Sequence, residues 1–207
     1  WRVVMPDFEL DLGLTSNLEL DLDGAYAVEG APGKPFTFDH ATPDSLWPSL
    51  KLGILDWIDT DSARTFALGA QLGPKLPTFP GGHGVGVEGL LLGGVGFSRL
   101  HFALNVGAFV DPAPDSGSAR PVGIETGIDI GRDLDPAGRA SLNAEISGVK
   151  FVSPDPDELH VAFGPAYSPW PWLDLSLTAL VGLLAGGDRY GLLLGVSPHL
   201  GVWSAPK

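Results

Sequence analysis

Cysteine is absent from the 207 residues, and so is any apolar run long enough for a helix to cross a bilayer. The first absence removes disulfide staples, thiolate metal sites and a cysteine nucleophile, and it fits any redox compartment. The second removes a helical membrane protein: a spanning helix needs about eighteen uninterrupted apolar residues, and the richest stretch, residues 177–185, is broken by Gly182. Positive charge is scarce. Twelve Lys and Arg stand against 25 Asp and Glu, a formal charge of -13, so a nucleic-acid partner would meet repulsion and no basic groove. Charged residues of both signs make up 18% of the chain, below the roughly 25% of ordinary soluble domains, so the surface is short of charge. No basic or apolar leader precedes the first strand-like segment, and any export signal is expected outside this sequence.

What is present is alternation. Phe8, Leu10, Leu12 and Leu14 sit between Asp7, Glu9, Asp11 and Gly13, and Leu18, Leu20 and Leu22 between Glu19, Asp21 and Asp23. Period two is the pattern of a strand with two unlike faces. Eleven such segments are expected, near residues 2–14, 17–29, 45–58, 63–76, 84–96, 99–111, 120–133, 138–153, 158–168, 171–186 and 189–204. The breaks between them alternate between short turns, such as Thr15-Ser16-Asn17 and Phe97-Ser98-Arg99, and longer stretches rich in Pro, Gly and Asp, at 29–44, 78–84 and 111–119. Short turns on one rim and long loops on the other is the asymmetry of an outer-membrane barrel. The expected fold is therefore all-β, an antiparallel up-and-down transmembrane β-barrel spanning 1–207 as one domain.

Parity adds a detail. If the turn at 15–17 is periplasmic, the first strand starts at the extracellular rim. Bacterial barrels carry an even strand number with both ends in the periplasm, so a further strand ahead of Trp1 is expected, giving twelve in the parent barrel. The alternative is an odd count. Aromatic placement is a separate indicator: Trp47 and Trp57 lie ten residues apart in one strand, roughly 23 Å along the membrane normal at 3.3 Å per residue and 45° tilt. Tyr26, Tyr167, Trp170, Trp172, Tyr190 and Trp203 also fall near strand ends, where amphipathic rings sit at headgroup level.

A soluble sandwich or barrel with the apolar stripe turned inward would show the same alternation. A solvated face mixes Lys with Glu, whereas this polar stripe reads Ala103, Asn105, Gly107 on one strand and Ser176, Thr178 on another. Cations gather instead at strand ends and turns, at Arg64, Arg99, Arg120, Arg132, Arg139 and Arg189. The membrane reading is favoured.

The segments Gly13-Leu14-Thr15-Ser16-Asn17-Leu18-Glu19-Leu20, Ser49-Leu50-Lys51-Leu52-Gly53 and Gly73-Pro74-Lys75-Leu76-Pro77-Thr78 carry a family likeness. In them the chain resembles the outer-membrane β-barrels grouped as transporters of the MetA pathway of phenol degradation, with short, degenerate motifs running in order through most of its length. The resemblance implies a twelve-stranded barrel in a Gram-negative outer membrane that takes up aromatic or other small hydrophobic compounds. One departure is the tail, Ser-Ala-Pro-Lys after Trp203, where such barrels end on an aromatic residue.

Alternation places on the inward stripe Glu9, Asp11, Glu19, Asp21, Asp23, Lys51, Gln71, Lys75, Glu88, His101, Asn105, Glu125, Asp129, Asn143, Glu145, His160, Asp174 and His199. Such an interior is acidic, and carboxylate rings favour cations over anions in a wet pore; alternatively the acids pair with Lys51 and Lys75 and plug it. The dense group Glu9, Asp11, Glu19, Asp21 and Asp23 would attract a divalent cation if unpaired, but no metal or other cofactor is expected. Residues 84–89 have the spacing of a dinucleotide loop yet run into a strand-like segment. Serines such as Ser141, Ser147, Ser176 and Ser197 lack a nucleophile elbow, and no enzyme is expected. The expected function is a passive channel or transporter for small molecules, partnered by outer-membrane lipid and a solute. The alternatives are a non-conducting scaffold or adhesin, with Phe36 and Phe38 as loop anchors, and a secreted β-sandwich binding module.

Overall fold

The computed structural model describes residues 2–29, 41–43 and 46–200. They form one sheet, with no helix among the described residues. Its strands are β1 (Arg2–Gly13), β2 (Leu18–Glu29), β3 (Ala41–Pro43), β4 (Trp47–Asp59), β5 (Arg64–Lys75), β6 (Gly86–Phe97), β7 (Leu100–Val110), β8 (Val122–Asp133), β9 (Ala140–Phe151), β10 (Glu158–Trp170), β11 (Leu173–Gly182) and β12 (Tyr190–Pro198). Eleven of them follow one another up and down in sequence order, every pair antiparallel. The three-residue β3 pairs only with the end of β2; it is too short to register as a period. The path is open: no pairing joins β1 to β12 among the described residues. An odd number of alternating strands leaves these two edge strands running in the same direction.

Strand positions follow the alternation to within a few residues, except at the end of the chain. β11 stops at Gly182, not 186: Leu183 still donates its N–H in register to Leu159 (2.7 Å), and the chain then bends at 184–187, where Gly186 donates to Asp157 (3.2 Å). Trp203, most of the 29–44 loop and its Phe36 and Phe38 lie outside the described residues.

Connections at 14–17, 60–63, 98–99, 134–139 and 171–172 all fall on one rim, and the longer ones at 76–85 and 111–121 on the other. The tight ones close through local chemistry. Asp135 accepts from the N–H groups of Ala137 (2.8 Å) and Ala140 (2.7 Å), replacing ladder bonds that a turn cannot make. Ser98 adopts φ 57° in a two-residue hairpin and donates to the Ala63 carbonyl (2.8 Å), tying neighbouring turns together.

The two faces are unlike. Leu10, Leu72 and Leu91 are 61%, 63% and 61% exposed, whereas Asp21, Ser49, Gln71 and Glu88, one step away in parity, are buried. Among the described residues the buried apolar side chains are few: Val28, Trp47, Phe109, Pro112 and Ala113. The sheet therefore packs its polar face and leaves its apolar face bare.

One aromatic expectation is corrected. Trp47 pairs with Asp23 and is buried on the polar face, while Trp57 pairs with Phe66 and is exposed on the apolar one. Residues ten apart should share a face, but the register shifts between Gly53 and Leu55. A bulge adds one residue and inverts the parity of everything beyond it. Trp57, Tyr167 and the stacked pair Trp170–Trp172, 5.4 Å apart, remain exposed near the short-turn rim, and Tyr26 and Tyr190 near the opposite one.

Candidate functional site

The polar face is where this sheet concentrates its chemistry. The register carries Glu9 and Asp11 of β1, Glu19, Asp21 and Asp23 of β2, Lys51 of β4, Gln71 and Lys75 of β5 and Glu88 of β6 onto one surface. It continues through His101 and Asn105 of β7, Glu125 and Asp129 of β8, Asn143 and Glu145 of β9, His160 of β10 and Asp174 of β11. His199, just past β12, reaches the same surface through Asp174.

These residues fall into separate groups. In the first, Lys51 Nζ lies 3.0 Å from Glu19, 3.4 Å from Asp11 and 3.8 Å from both Glu9 and Asp21. Asp21 and Ser49 receive hydrogen bonds from Gln71 Nε2, the latter at 2.8 Å. Asp21 Oδ1 is buried without a hydrogen-bond partner among the described residues. Ligand atoms of Glu9, Asp11 and Asp21 come within 4.8 Å of one another, so these three carboxylates are the residues that could hold a cation. Lys51 already supplies positive charge among them.

In the second group Lys75 Nζ bridges Glu88 and Asp111, each at 2.7 Å, and sits 4.9 Å from the centre of the Phe109 ring. Carboxylates and an aromatic face together offset the desolvation of a part-buried ammonium. Glu125 stands nearby, opposite Gly107, with Oε1 buried and unbonded among the described residues. Gly107 is what makes room, since a Cβ there would lie 2.9 Å from Glu125 and 2.4 Å from Leu90.

Beyond β8 the face changes character. Asp129 and Glu145 are directly opposed, and then Ser147, Ser176, Thr178, Leu180, Leu193 and Gly195 line it with little charge. His101 pairs with Asp133 (3.2 Å) and His199 with Asp174 (2.8 Å), both at the short-turn rim, while His160 is the third residue of β10, toward the other. The three imidazoles are dispersed, so they form no shared metal site. Ser168 and His199 both bond to Asp174. A Ser-His-acid relay instead needs the imidazole between the other two.

Alternation missed several members of this surface. Asp56 lies on it only because of the bulge at 53–55. Leu90 and Leu92 lie on it too, hidden in the sequence because three consecutive leucines carry no parity. A cavity of about 730 Å³ opens on the face toward the short-turn rim, lined by Glu19, Lys51, Asp56, Leu92, Ala103 and Asn105 among others.

In the loops, Asp115 is held below the ordinary carboxyl range by the Gly117 N–H (2.8 Å). Asp157 is held low by Lys150 (2.5 Å) and by the Phe151 N–H (3.0 Å).

Fold and face together define a class: an eleven-stranded up-and-down sheet with an ion-paired polar surface and an uncovered apolar one. The chain matches no family model, no curated protein and no solved structure.

Proposed function

We propose that the chain is an outer-membrane β-barrel whose polar face lines a narrow lumen and conducts small solutes passively, with a preference for cations. One observation carries the reading, the inversion of the two faces: large side chains such as Leu72, Leu91, Leu192 and Leu194 are 61–78% exposed while Asp21, Ser49, Gln71 and Glu88 are buried. In water an uncovered apolar surface of this extent costs far more than folding yields, whereas hydrocarbon accepts it. The aromatic residues near both rims and the arginines at strand ends suit headgroup depth. On the reading, the outer edges of β1 and β12 are both paired within a closed barrel, because a free edge is not tolerated in lipid.

The acidic residues of the first groups outnumber Lys51 and Lys75, which supports attraction of cations. Leu90, Leu92, Leu180 and Leu193 on the same surface supply apolar contacts for a solute with a hydrocarbon body. That is compatible with the aromatic-compound transport implied by the resemblance to the MetA-pathway barrels. The chemistry needs no cofactor; the solute gradient drives it.

The test starts with heat-modifiable migration of protein refolded into detergent micelles, followed by conductance in a planar bilayer under a salt gradient. Faster migration before boiling, unit conductance and a cation-selective reversal potential are the expected results. A protein folded and monodisperse in plain buffer would overturn the membrane reading. A folded barrel without conductance would leave a plugged scaffold.

A further inference from the structure

The apolar face is not smooth. Across β7–β12, Ala144 and Ala179 lie low between Leu142, Phe163, Leu177 and Leu192, leaving a groove of about 640 Å³. The register explains it: Ala144, Phe163, Ala179 and Leu192 oppose one another on successive strands, so two methyl groups alternate with larger side chains along one row. Its lining residues come from all six strands β7–β12, neighbours about 4.8 Å apart, with Leu100 and Arg132 toward the short-turn rim.

At that rim stands Arg132, the penultimate residue of β8, exposed and lining the groove. Its register neighbours are Leu100 and Leu142. No acid faces it, and it has no ion pair among the described residues. Arg64, three strands of the sheet further along the same rim row, has Asp59 as its register neighbour, though no ion pair joins them among the described residues. The nearby Asp133 points to the polar face and pairs with His101. The only other strand cation on the apolar face of β7–β12 is Lys150, at the opposite rim and paired with Asp157. A guanidinium without an ion pair, placed between leucines at the edge of an apolar band, is open to an anion from outside the chain. Its planar fork matches phosphate oxygens.

We propose that this groove holds an acyl chain of one anionic phospholipid, with the lipid phosphate on Arg132. The proposal rests on the membrane reading above. The site differs from the polar face both in position and in the sign of the charge it takes.

The test is native mass spectrometry of protein refolded into micelles doped with phosphatidylglycerol or with diacylglycerol of the same chains. The expected result is one retained phosphatidylglycerol, favoured about ten-fold over diacylglycerol, the size of a charge-assisted hydrogen-bond pair. Arg132→Gln abolishes the preference, and Ala179→Phe, which fills the floor, removes both lipids. Equal retention of the two lipids by the unaltered protein overturns the proposal, as does an Arg132→Gln variant that keeps the preference. Heat-modifiable migration of the same samples separates the two claims. If it persists without lipid preference, only the groove falls; if the protein never acquires it and folds in plain buffer, the membrane reading falls as well.

Discussion

Gln71 and Leu72 are adjacent in β5, yet the first is 6% exposed and the second 63%. The difference between them is the difference between the two faces of the sheet. On one, side chains lean on one another: Gln71 bonds Ser49 and Asp21, Lys51 gathers four carboxylates, and Lys75 bridges two more. On the other, leucines and isoleucines stand beside their cross-strand neighbours with nothing above them. A soluble protein reverses this, sheltering hydrocarbon and wetting its charges. The comparison teaches that the sheet is finished by its surroundings on one side and by its own polar network on the other.

The comparison is broken most severely by placing charge on the apolar face. Leu91, in the middle of β6, is the position for this, and Leu91→Arg is expected to lower folding stability in lipid vesicles by about 2–4 kcal/mol, the midplane cost of an arginine facing lipid. Urea titration of the heat-modifiable band measures it. A cost below about 0.5 kcal/mol, ordinary for a watery surface, would mean that this face does not meet hydrocarbon.

The polar face is broken by apolar substitution. Gln71→Leu removes the amide that satisfies Asp21 and Ser49, and leaving a buried acceptor unpaired costs about 1–3 kcal/mol. The same titration reads it, and an unchanged midpoint would show that water reaches Asp21. Lys51→Met deletes the one ammonium among Glu9, Asp11, Glu19 and Asp21. Because Lys51 is 29% and Glu9 59% exposed, the expected loss is about 1–2 kcal/mol, less than for a fully buried pair. In a conducting barrel it also strengthens cation selectivity, which a reversal potential would register; a shift toward anions would contradict an acidic lumen.

A smaller effect sharpens the contrast at the rim. Asp157 is held below its usual carboxyl range chiefly by Lys150, so their pairing contributes fully above the unfolded value, near pH 4, and is lost as pH falls through the lowered folded value. Asp157→Asn should therefore destabilise at neutral pH, with the difference from the unaltered protein vanishing in strong acid. A difference that persists unchanged there would assign the effect to the Phe151 N–H bond rather than to charge.

Most strand positions were legible because alternation over ten or more residues leaves few choices of register. The polar stripe was legible for the same reason: Glu9, Asp11, Glu19, Asp21 and Lys51 keep one parity throughout their strands. Parity failed where the chain inserts a residue. The bulge at 53–55 moved Trp47 off the aromatic rim and brought Asp56 onto the polar face; Gly53 beside it is a residue that often marks a bulge, but it does not stand out among the many strand glycines of this chain. The Leu90-Leu91-Leu92 run failed differently, since three identical side chains do not show which one faces the charges. The groove at Ala144 and Ala179 was invisible, being formed by residues from different strands that meet only once register is set.

The sequence alone determined an all-β chain of about eleven two-faced strands, since period-two patterning is a local property of each segment. It also determined that one face is acidic and poor in lysine. Only the tertiary structure decided which acids share a lysine, where parity inverts and where the apolar face is hollow. Those depend on contacts between residues up to fifty apart, as Asp21 and Gln71 are across the intervening β4, and register is fixed by the assembled sheet, not by any strand within it.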